Sequence, residues 1–351
     1  MSIPYFPIGN LTITRKYLSF HIMRYLCLLS ILFAVGCERA SSSSAPTTSP
    51  AAEVRLGYFG NVTHAQAVLG VSSGDFAKAV APAKLQTRVF NAGPSLIEAL
   101  LTDNIDIGYV GPGPALSAFE KSHGEGVRVI AGAAANGVLI VARKDSGIST
   151  MSDLKGKKLA TPQQGNTQDI AARHYLSKQL GQPDTNNVMP IANAEQAGMM
   201  QRGEIDAAWA PEPWGSRLIA EANATLVAEE KDLWPSKRFV LTVIITRPKF
   251  LAEHPDTVKQ ILGVHLDWTA KLQKNPQQYA GPLGEALFAL SGKKLPPGVL
   301  VDSLKNVEFT PDPLPETFNT MGQWAAELGF AKGPPKVEAL IDTALLQQVK
   351  K

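Results

Sequence analysis

Four short segments carry most of the side chains that could contact a small polar ligand. They are residues 57–65 (GYFGNVTHA), 110–115 (VGPGPA), 161–169 (TPQQGNTQD) and 211–214 (PEPW). None contains a G-x-S-x-G, Walker or dinucleotide-binding pattern, and the prolines of GPGP make that segment a poor phosphate loop. Amides, hydroxyls and the N–H groups of helix starts donate hydrogen bonds to anions. The segments therefore favour binding of a small anion over catalysis.

Each segment also has a structural interpretation that the sequence leaves open. Asn166 and Thr167 are common N-cap residues, and capping alone would explain them. His64 is more simply explained as a surface residue at a helix start than as a ligand contact. Trp214 could cover hydrophobic core instead of forming the wall of a ligand site.

Strand and helix patterns alternate from residue 53 onward, and the four segments follow predicted strands. Such alternation indicates an α/β fold with a mostly parallel sheet. Ligands of such sheets bind at the carboxyl ends of the strands. The predicted strands are residues 54–58, 86–90, 105–110, 127–131, 138–141, 157–160, 188–191 and 239–245, and the main predicted helices begin near residues 63, 94, 166, 195, 257, 276 and 315.

One passage of the chain is repeated at an offset of 100 residues. Residues 102–114 (TDNIDIGYVGPGP) match residues 202–214 (RGEIDAAWAPEPW), each reading as a helix end, a short strand and a loop broken by prolines. Coincidence between two common passages is the alternative. We interpret the match as two similar lobes whose loops face each other, and Asp106 and Asp206 as structural turn residues. The predicted domains are lobe 1 at residues 53–143 plus 247–351, and lobe 2 at residues 144–246.

The first 52 residues resemble a targeting segment and a linker. The apolar run at residues 25–35 follows Arg24 and is too short for a bilayer span of about 20 residues. Small residues precede Cys37, as in the bacterial lipoprotein box, so residues 1–36 are predicted to be a signal peptide and Cys37 the lipidation site. An ordinary signal peptide with an accidental cysteine is the alternative. Residues 40–52 (ASSSSAPTTSPAA) are small and uncharged, so residues 37–52 are predicted to be a flexible tether. The expected location is the periplasm or cell envelope.

Composition excludes several further classes. The formal net charge of +3 equals the three basic residues before Cys37, so the remainder is neutral and nothing indicates nucleic-acid binding. The six histidines never pair at metal-ligand spacing, and only Cys27 and Cys37 are cysteines. We therefore expect no metal and no cofactor.

Five passages together resemble one protein family. They are GYFGNVTHAQA, EALLTDNIDIGYVGPGPA, DLKGKKLATP, GEIDAAWAPEPW and RPKFLAEHPDTV, in that order. The family is that of periplasmic substrate-binding proteins of ATP-binding-cassette importers for nitrate, taurine and aliphatic sulfonates. The resemblance implies a two-lobed type II periplasmic-binding fold with two crossover strands and a ligand cleft between the lobes. It also implies a monomer that closes on a small organic anion and docks on a membrane permease with its ATPase.

The resemblance also suggests which residues contact the ligand. These are Gly60, Asn61, His64, Gly113, Pro114, Asn166, Thr167, Gln168, Glu212 and Trp214. A carboxylate at Glu212 would suit the ammonium group of taurine, unless it turns away to pair with Arg217. An enzyme resembling the pyrimidine-precursor synthases, which share the fold, and a sensor for a signalling partner are the alternatives. The absence of a cysteine from the mature body and of clustered histidines argues against the enzyme.

Overall fold

A computed structural model describes residues 51–296, 298–333 and 336–350. Within these ranges the strands are β1 Glu53–Phe59, β2 Lys84–Phe90, β3 Ile107–Val110, β4 Arg128–Asn136, β5 Val138–Arg143, β6 Leu159–Thr161, β7 Val188–Pro190, β8 Ala207–Pro211, β9 Ala224–Glu229, β10 Val240–Thr246 and β11 Val307–Phe309. The helices are α1 Ala65–Ser72, α2 Asp75–Val80, α3 Gly93–Leu101, α4 Pro112–Lys121, α5 Thr167–His174, α6 Asn193–Gln201, α7 Trp214–Ala222, α8 Pro248–Glu253, α9 Pro255–Lys274, α10 Ala280–Ser291, α11 Val299–Asn306, α12 Pro315–Glu327, α13 Val337–Leu340 and α14 Ala344–Val349.

The strands form two sheets. The first has the order β11-β4-β10-β3-β1-β2, and the second has the order β7-β6-β8-β5-β9. In each sheet three strands are parallel, namely β2, β1 and β3 in the first and β7, β6 and β8 in the second. The neighbouring strands β10 and β5 are antiparallel to them. The predicted α/β class is confirmed, but the sheets are mixed rather than mostly parallel.

The internal repeat corresponds to equivalent places in the two sheets. Strands β3 and β8 each lie between a parallel neighbour and an antiparallel one. Asp106 precedes β3 and forms ion pairs with Arg55 and Arg247, both at 2.6 Å. Asp206 precedes β8 and pairs with Arg143 at 3.1 Å. The predicted structural role of both aspartates is confirmed, because each ties the start of its strand to neighbouring segments.

Sheet membership bears on where one lobe ends and the other begins. Strand β5 pairs with β8 and β9 of the second sheet, whereas β10 pairs with β3 and β4 of the first. The sequence-based boundaries at residues 143 and 246 instead put β5 in lobe 1 and β10 in lobe 2. We propose that the chain crosses between lobes at residue 137 and between residues 229 and 240, one crossing before each of these strands.

The hydrophobic core is continuous across the two sheets. One cluster packs α1, α9 and α10 against one face of the first sheet. Another cluster contains Val243 of the first sheet, Ile140 of the second, and buried residues of α4, α5 and α12, such as Phe318. Helix α12 therefore contacts both lobes, with α4 on one side and α5 on the other.

Two predicted loops are helix starts. Residues 111–114 were predicted as a proline-broken loop, but α4 begins at Pro112 directly after β3. Proline is tolerated in the first helical turn, where no intrahelical partner for its missing N–H is needed. Likewise α7 begins at Trp214. The predicted signal peptide, Cys37 and most of the tether lie outside the described residues. Within the described part, no helix is both long enough and apolar enough to span a bilayer.

Candidate functional site

Loops from both lobes meet around a small polar cavity. Each parallel strand contributes residues at or after its carboxyl end, as expected for sheets of this kind. The volume is about 20 Å³. The lining consists of Phe59, Asn61, Thr63, His64, Asn91, Gly111, Pro162, Asn166, Thr167, Gln168, Asn193, Pro211, Leu241 and Thr242. We call this space the polar cavity.

Helix α5 directs its first turn at the polar cavity. Asn166 occupies the N-cap position, but its side chain makes no capping hydrogen bond. Instead its amide Nδ2 donates to Gln168 Oε1 at 2.7 Å. Thr167 Oγ1 accepts a hydrogen bond from Gly113 N of α4 at 3.3 Å, across the two lobes. Capping by the Asn166 side chain therefore does not explain the TPQQGNTQD segment. Asn166, Thr167 and Gln168 line the polar cavity at the end of α5 that carries the positive end of the helix dipole.

His64 lies on the opposite side of the cavity in a buried environment. Its Nδ1 accepts a hydrogen bond from Phe59 N at 3.3 Å, and its ring stacks on Phe59 with centroids 4.4 Å apart. Burial lowers the pKa of His64 to about 3, so the ring is neutral at physiological pH. Since Nδ1 accepts, the proton of the neutral ring is on Nε2. His64 is thus a neutral donor rather than the predicted alternative, a surface residue.

Asn61 and Trp214 join the lobes beside the polar cavity. Trp214 Nε1 donates to Asn61 Oδ1 at 2.7 Å, and the Arg217 guanidinium lies over the Trp214 ring at 5.4 Å. Both residues also line a second space of about 330 Å³, the larger cavity, which includes Gly60. Its other walls include Leu287, Leu290, Leu295, Arg217 and Lys293. Asn61, Asn91 and Asn193 line both spaces, so the two are adjacent.

Glu212 was predicted to contact the ligand, and the structure corrects this. The side chain is fully buried and lines neither cleft cavity. Its carboxylate accepts hydrogen bonds from Ser216 N and Oγ, from Ser303 Oγ at 3.1 Å and from Asn306 Nδ2 at 2.6 Å. Arg217, the predicted alternative partner, pairs with Glu221 at 2.7 Å. Because Ser303 and Asn306 belong to α11 of lobe 1, Glu212 links the lobes instead of facing a ligand.

Gly113 and Pro114 were also predicted to contact the ligand. Both belong to the first turn of α4 and line neither the polar nor the larger cavity. A Cβ on Gly113 would lie 3.0 Å from Ile170 Cδ1 and 3.2 Å from Thr167 Cα. Because Gly113 has no side chain, α4 and α5 can approach each other closely. Gly113 therefore contributes to the site indirectly, through its hydrogen bond to Thr167.

Four residues that line the polar cavity lie outside the four segments singled out in the sequence, namely Asn91, Asn193, Leu241 and Thr242. Asn91 and Asn193 follow β2 and β7, so the rule that ligands bind at strand carboxyl ends could have found them. Thr242 lies within β10, where the pairing with β4 shifts register on both sides of it. Its hydroxyl is buried without a hydrogen-bond partner. A local irregularity in strand pairing can turn a side chain in a new direction, and the sequence of the strand alone does not predict where such an irregularity occurs.

The polar cavity has no charged wall among the residues that the structure describes. Its donors are amides, hydroxyls, the His64 ring and the start of α5. The described residues also contain no group of three histidine, cysteine, aspartate or glutamate side chains arranged for a metal ion. Such a site can hold an anion by neutral hydrogen-bond donors in a dry environment, as helix starts do elsewhere.

Comparison with known proteins agrees with this geometry. The model of the NMT1-like family matches residues 47–280, which is more than half of the chain. The chain belongs to the NMT1-like family. This family member is 28% identical over 266 residues to the taurine-binding periplasmic protein of Escherichia coli (strain K12), covering 75% of the chain and 76% of the relative. It is 29% identical over 194 residues to a binding protein of Brucella abortus (strain 2308). That match covers 55% of this chain and 58% of the length of the relative.

Solved structures share the fold of this family member. The alkanesulfonate-binding protein SsuA from Xanthomonas axonopodis pv. citri, bound to MOPS, aligns with a TM-score of 0.65 at 22% identity, over 86% of this chain and 98% of that one. The periplasmic nitrate-binding protein NrtA from Synechocystis PCC 6803 aligns with a TM-score of 0.71 at 12% identity, over 85% and 88%. The predicted resemblance and the periplasmic-binding fold are thereby confirmed.

Proposed function

We propose that the protein is the solute-binding receptor of an ATP-binding-cassette importer and holds a small organic anion in the cleft. The observation that carries this proposal is the buried hydroxyl of Thr242, which has no partner inside the protein. It lines a cavity whose other polar groups are neutral donors, opposite the first turn of α5. A buried hydroxyl without a hydrogen bond is costly, and an anionic oxygen would supply the missing acceptor.

An aliphatic sulfonate is the ligand that suits the two adjacent cavities. The polar cavity offers only about 20 Å³, which is room for about one water-sized group such as one oxygen of an anion, and the larger cavity has about 330 Å³ for the rest of the ligand. Leucine side chains on its wall favour an alkyl chain, while its charged lining residues, Arg217, Lys293 and Glu195, carry one net positive charge, which favours an anion. Taurine remains a candidate, but Glu212 is not available to its ammonium group. Nitrate would leave the larger cavity unused.

Binding is proposed to occur by lobe closure. Three contacts cross from one lobe to the other near the cleft: Trp214 with Asn61, Gly113 with Thr167, and Glu212 with α11. Such contacts must break for a ligand to enter, so the two crossings between the sheets would act as the hinge. The closed form would then dock on a permease and its ATPase as a monomer.

The same cavity chemistry argues against an enzyme. His64 is the one titratable side chain among the residues described as lining the polar cavity. A histidine whose pKa is about 3 is a weak general base at neutral pH. Binding without reaction is therefore the function that we propose.

We further propose that the protein acts in the periplasm or cell envelope, held to the membrane through a lipid on Cys37. The support is the sequence pattern around Cys37 and the periplasmic name of the Escherichia coli relative. Two or more acyl chains make such anchoring durable, because each buried CH₂ contributes about 0.8 kcal/mol.

Calorimetric titration with ethanesulfonate, taurine and nitrate tests the cleft. We expect wild-type protein to bind ethanesulfonate, and the double variant Thr167→Ala with Gln168→Ala to bind it more weakly by about 2–4 kcal/mol. The matched control is Thr102→Ala with Asn104→Ala, which removes the same kinds of group from an exposed turn. Equal affinity in both double variants and the wild type would contradict the site, and saturable binding of nitrate alone would contradict the sulfonate.

A further inference from the structure

Several side chains that line the polar cavity use their hydrogen-bond acceptors inside the protein. Asn61 Oδ1 accepts from Trp214 Nε1 at 2.7 Å, and His64 Nδ1 accepts from Phe59 N at 3.3 Å. Indole and backbone N–H groups only donate, so each of these partners identifies the atom facing it as an acceptor. The polar atoms left for a ligand are Asn61 Nδ2 and His64 Nε2, and both are donors.

Two side chains of lobe 2 show the same arrangement. Thr167 Oγ1 accepts from Gly113 N at 3.3 Å, which leaves its O–H to donate. Asn193 Oδ1 accepts from Gln196 Nε2 at 3.3 Å. Because Gln196 Nε2 also donates to Ile191 O at 3.0 Å, the orientation of this amide is fixed, and Asn193 Nδ2 is the atom left free. Lobe 2 therefore adds two more donors to the cavity.

The other amides around the cavity offer little to a ligand that donates. Gln168 Oε1 accepts from Asn166 Nδ2 at 2.7 Å, so Gln168 Nε2 is left free. Asn166 Oδ1 lies against the start of α3, since a Cβ on Gly93 would lie only 2.9 Å from it. Asn91 is exposed, so its oxygen is open to water. These amides therefore supply mainly donors as well.

The two remaining hydroxyls need an acceptor themselves. Thr242 Oγ1 is buried without a partner, and Thr63, which is 1% exposed, has no acceptor for its hydroxyl proton within the described residues. A hydroxyl can also accept a hydrogen bond, but its own proton then still lacks a partner, which is costly in a buried place. Both hydroxyls are therefore satisfied best by a ligand atom that accepts.

The donors continue to the place where the polar cavity meets the larger cavity. The polar cavity has room for about one oxygen of a head group, and Asn61, Asn91 and Asn193 line both spaces. The oxygens of a tetrahedral head group are adjacent to one another, so the other two lie at this junction. Among the described residues, no carboxylate lines the polar cavity, and Glu195 of the larger cavity is exposed. A head group bound here is therefore surrounded mainly by donors.

We propose that the cleft selects a head group that carries only hydrogen-bond acceptors, so that it binds a sulfonate and rejects a singly protonated phosphonate of the same shape. This inference rests on the proposed function, the binding of an anion in the cleft, and adds the property by which the anion is recognised. A sulfonate has three oxygens and no proton at physiological pH. A phosphonate monoanion has the same charge but carries one P–O–H, whose proton would face another donor. Such a buried O–H without an acceptor weakens binding.

Calorimetric titration of wild-type protein with ethanesulfonate and ethylphosphonate tests the proposal. The second proton of a phosphonate leaves near neutral pH, as in phosphate esters, so both ligands are monoanions at about pH 5.5. There we expect ethanesulfonate to bind at least about 10-fold more tightly. At about pH 9 the phosphonate has lost its proton, so the preference should shrink. Equal affinities at the lower pH, or a preference that does not shrink as the pH rises, would overturn the proposal.

The ratio of the two affinities isolates the proton on the ligand. The titratable and charged side chains that line the two cavities, among the residues described, are His64, Glu195, Arg217 and Lys293. His64 stays neutral because burial lowers its pKa to about 3, and the other three act on both monoanions alike. If neither ligand binds saturably, the proposed function fails together with this inference. Saturable binding of both with equal affinity contradicts this inference alone.

An added acceptor should reduce the preference. In Asn61→Asp one carboxylate oxygen still accepts from Trp214 Nε1, and the other replaces the free Nδ2 without a change of shape. The phosphonate can rotate about its C–P bond to donate to this oxygen, so at about pH 5.5 the preference for ethanesulfonate should fall at least about 5-fold. The matched control, Asn104→Asp on an exposed turn, should keep the wild-type ratio. If Asn61→Asp does not fold, Asn193→Asp makes the same change in lobe 2, and an unaltered ratio in the folded variant would refute the proposal.

Discussion

Thr242 offers the sharpest test of the cleft, because strand β10 contains its own control. The Thr242 side chain is 1% exposed and its hydroxyl has no partner. Thr246, four residues along the same strand, is also buried, but its Oγ1 donates to the backbone oxygen of Asp106 at 2.9 Å. Valine has nearly the shape of threonine without the hydroxyl. Both threonines can therefore be changed to valine with little change in packing.

The two substitutions should change stability in opposite directions. Leaving a buried hydroxyl unpaired costs about 1–3 kcal/mol, so Thr242→Val should raise the free energy of unfolding by about 1–2 kcal/mol. Thr246→Val removes a hydrogen bond and leaves the Asp106 carbonyl without that donor, so it should lower the free energy by about 1–2 kcal/mol. Urea unfolding of the three proteins without ligand measures both changes.

Although Thr242→Val should stabilise the protein without ligand, it should weaken the binding of a sulfonate. If the hydroxyl donates to a sulfonate oxygen, its loss removes a hydrogen bond to a charged group, which weakens binding about 10- to 100-fold. Calorimetry with ethanesulfonate measures this, and Thr246→Val should bind as wild type does. The reasoning is refuted if Thr242→Val destabilises the protein as Thr246→Val does, or if it binds the sulfonate with unchanged affinity.

Three further predictions concern the buried acids Glu230 and Glu212 and the proposed lipidation site Cys37. Burial raises the pKa of Glu230 from 4.5 to about 7, so its contribution to stability is full below pH 4.5 and lost as pH rises through 7. The unfolding free energy of wild type relative to Glu230→Gln should therefore fall by up to about 3 kcal/mol between acid and mildly alkaline pH, and a flat difference would contradict this. Glu212→Gln should place an amide N–H against the donors Ser303 and Asn306, lowering thermal stability by about 1–3 kcal/mol and separating the lobes in solution scattering; an unaltered scattering profile would show that the link is dispensable. Cys37→Ala should release the protein from the membrane fraction, whereas wild-type protein found soluble and unacylated would rule out the anchor.

Local patterns in the sequence determine much of the fold and part of the site. Alternating strands and helices predicted two α/β units, and the similarity of residues 102–114 to 202–214 matched equivalent positions of β3 and β8. The start of α5 was predicted near Asn166 and observed at Thr167. These features depend on apolar periodicity, helix starts and strand ends, which involve neighbouring residues. Since ligands bind at strand carboxyl ends, the same patterns predicted that residues 57–65, with His64, lie near residues 161–169, with Thr167, whereas Asn61 was named through the family resemblance.

The features that only the tertiary structure decided depend on contacts between distant segments. Glu212 is a ligand candidate by its position in a loop, but α11, about 90 residues further on, surrounds its carboxylate with donors. Thr242 lines the polar cavity at a point where the pairing of β10 with β4 shifts register on both sides of it. Tyr175 and Trp324, about 150 residues apart in the sequence, line one cavity because α5 packs on α12. Each of these three features depends on which segments pack together and in what register. The periodicity of a single segment encodes neither the packing partner nor the register.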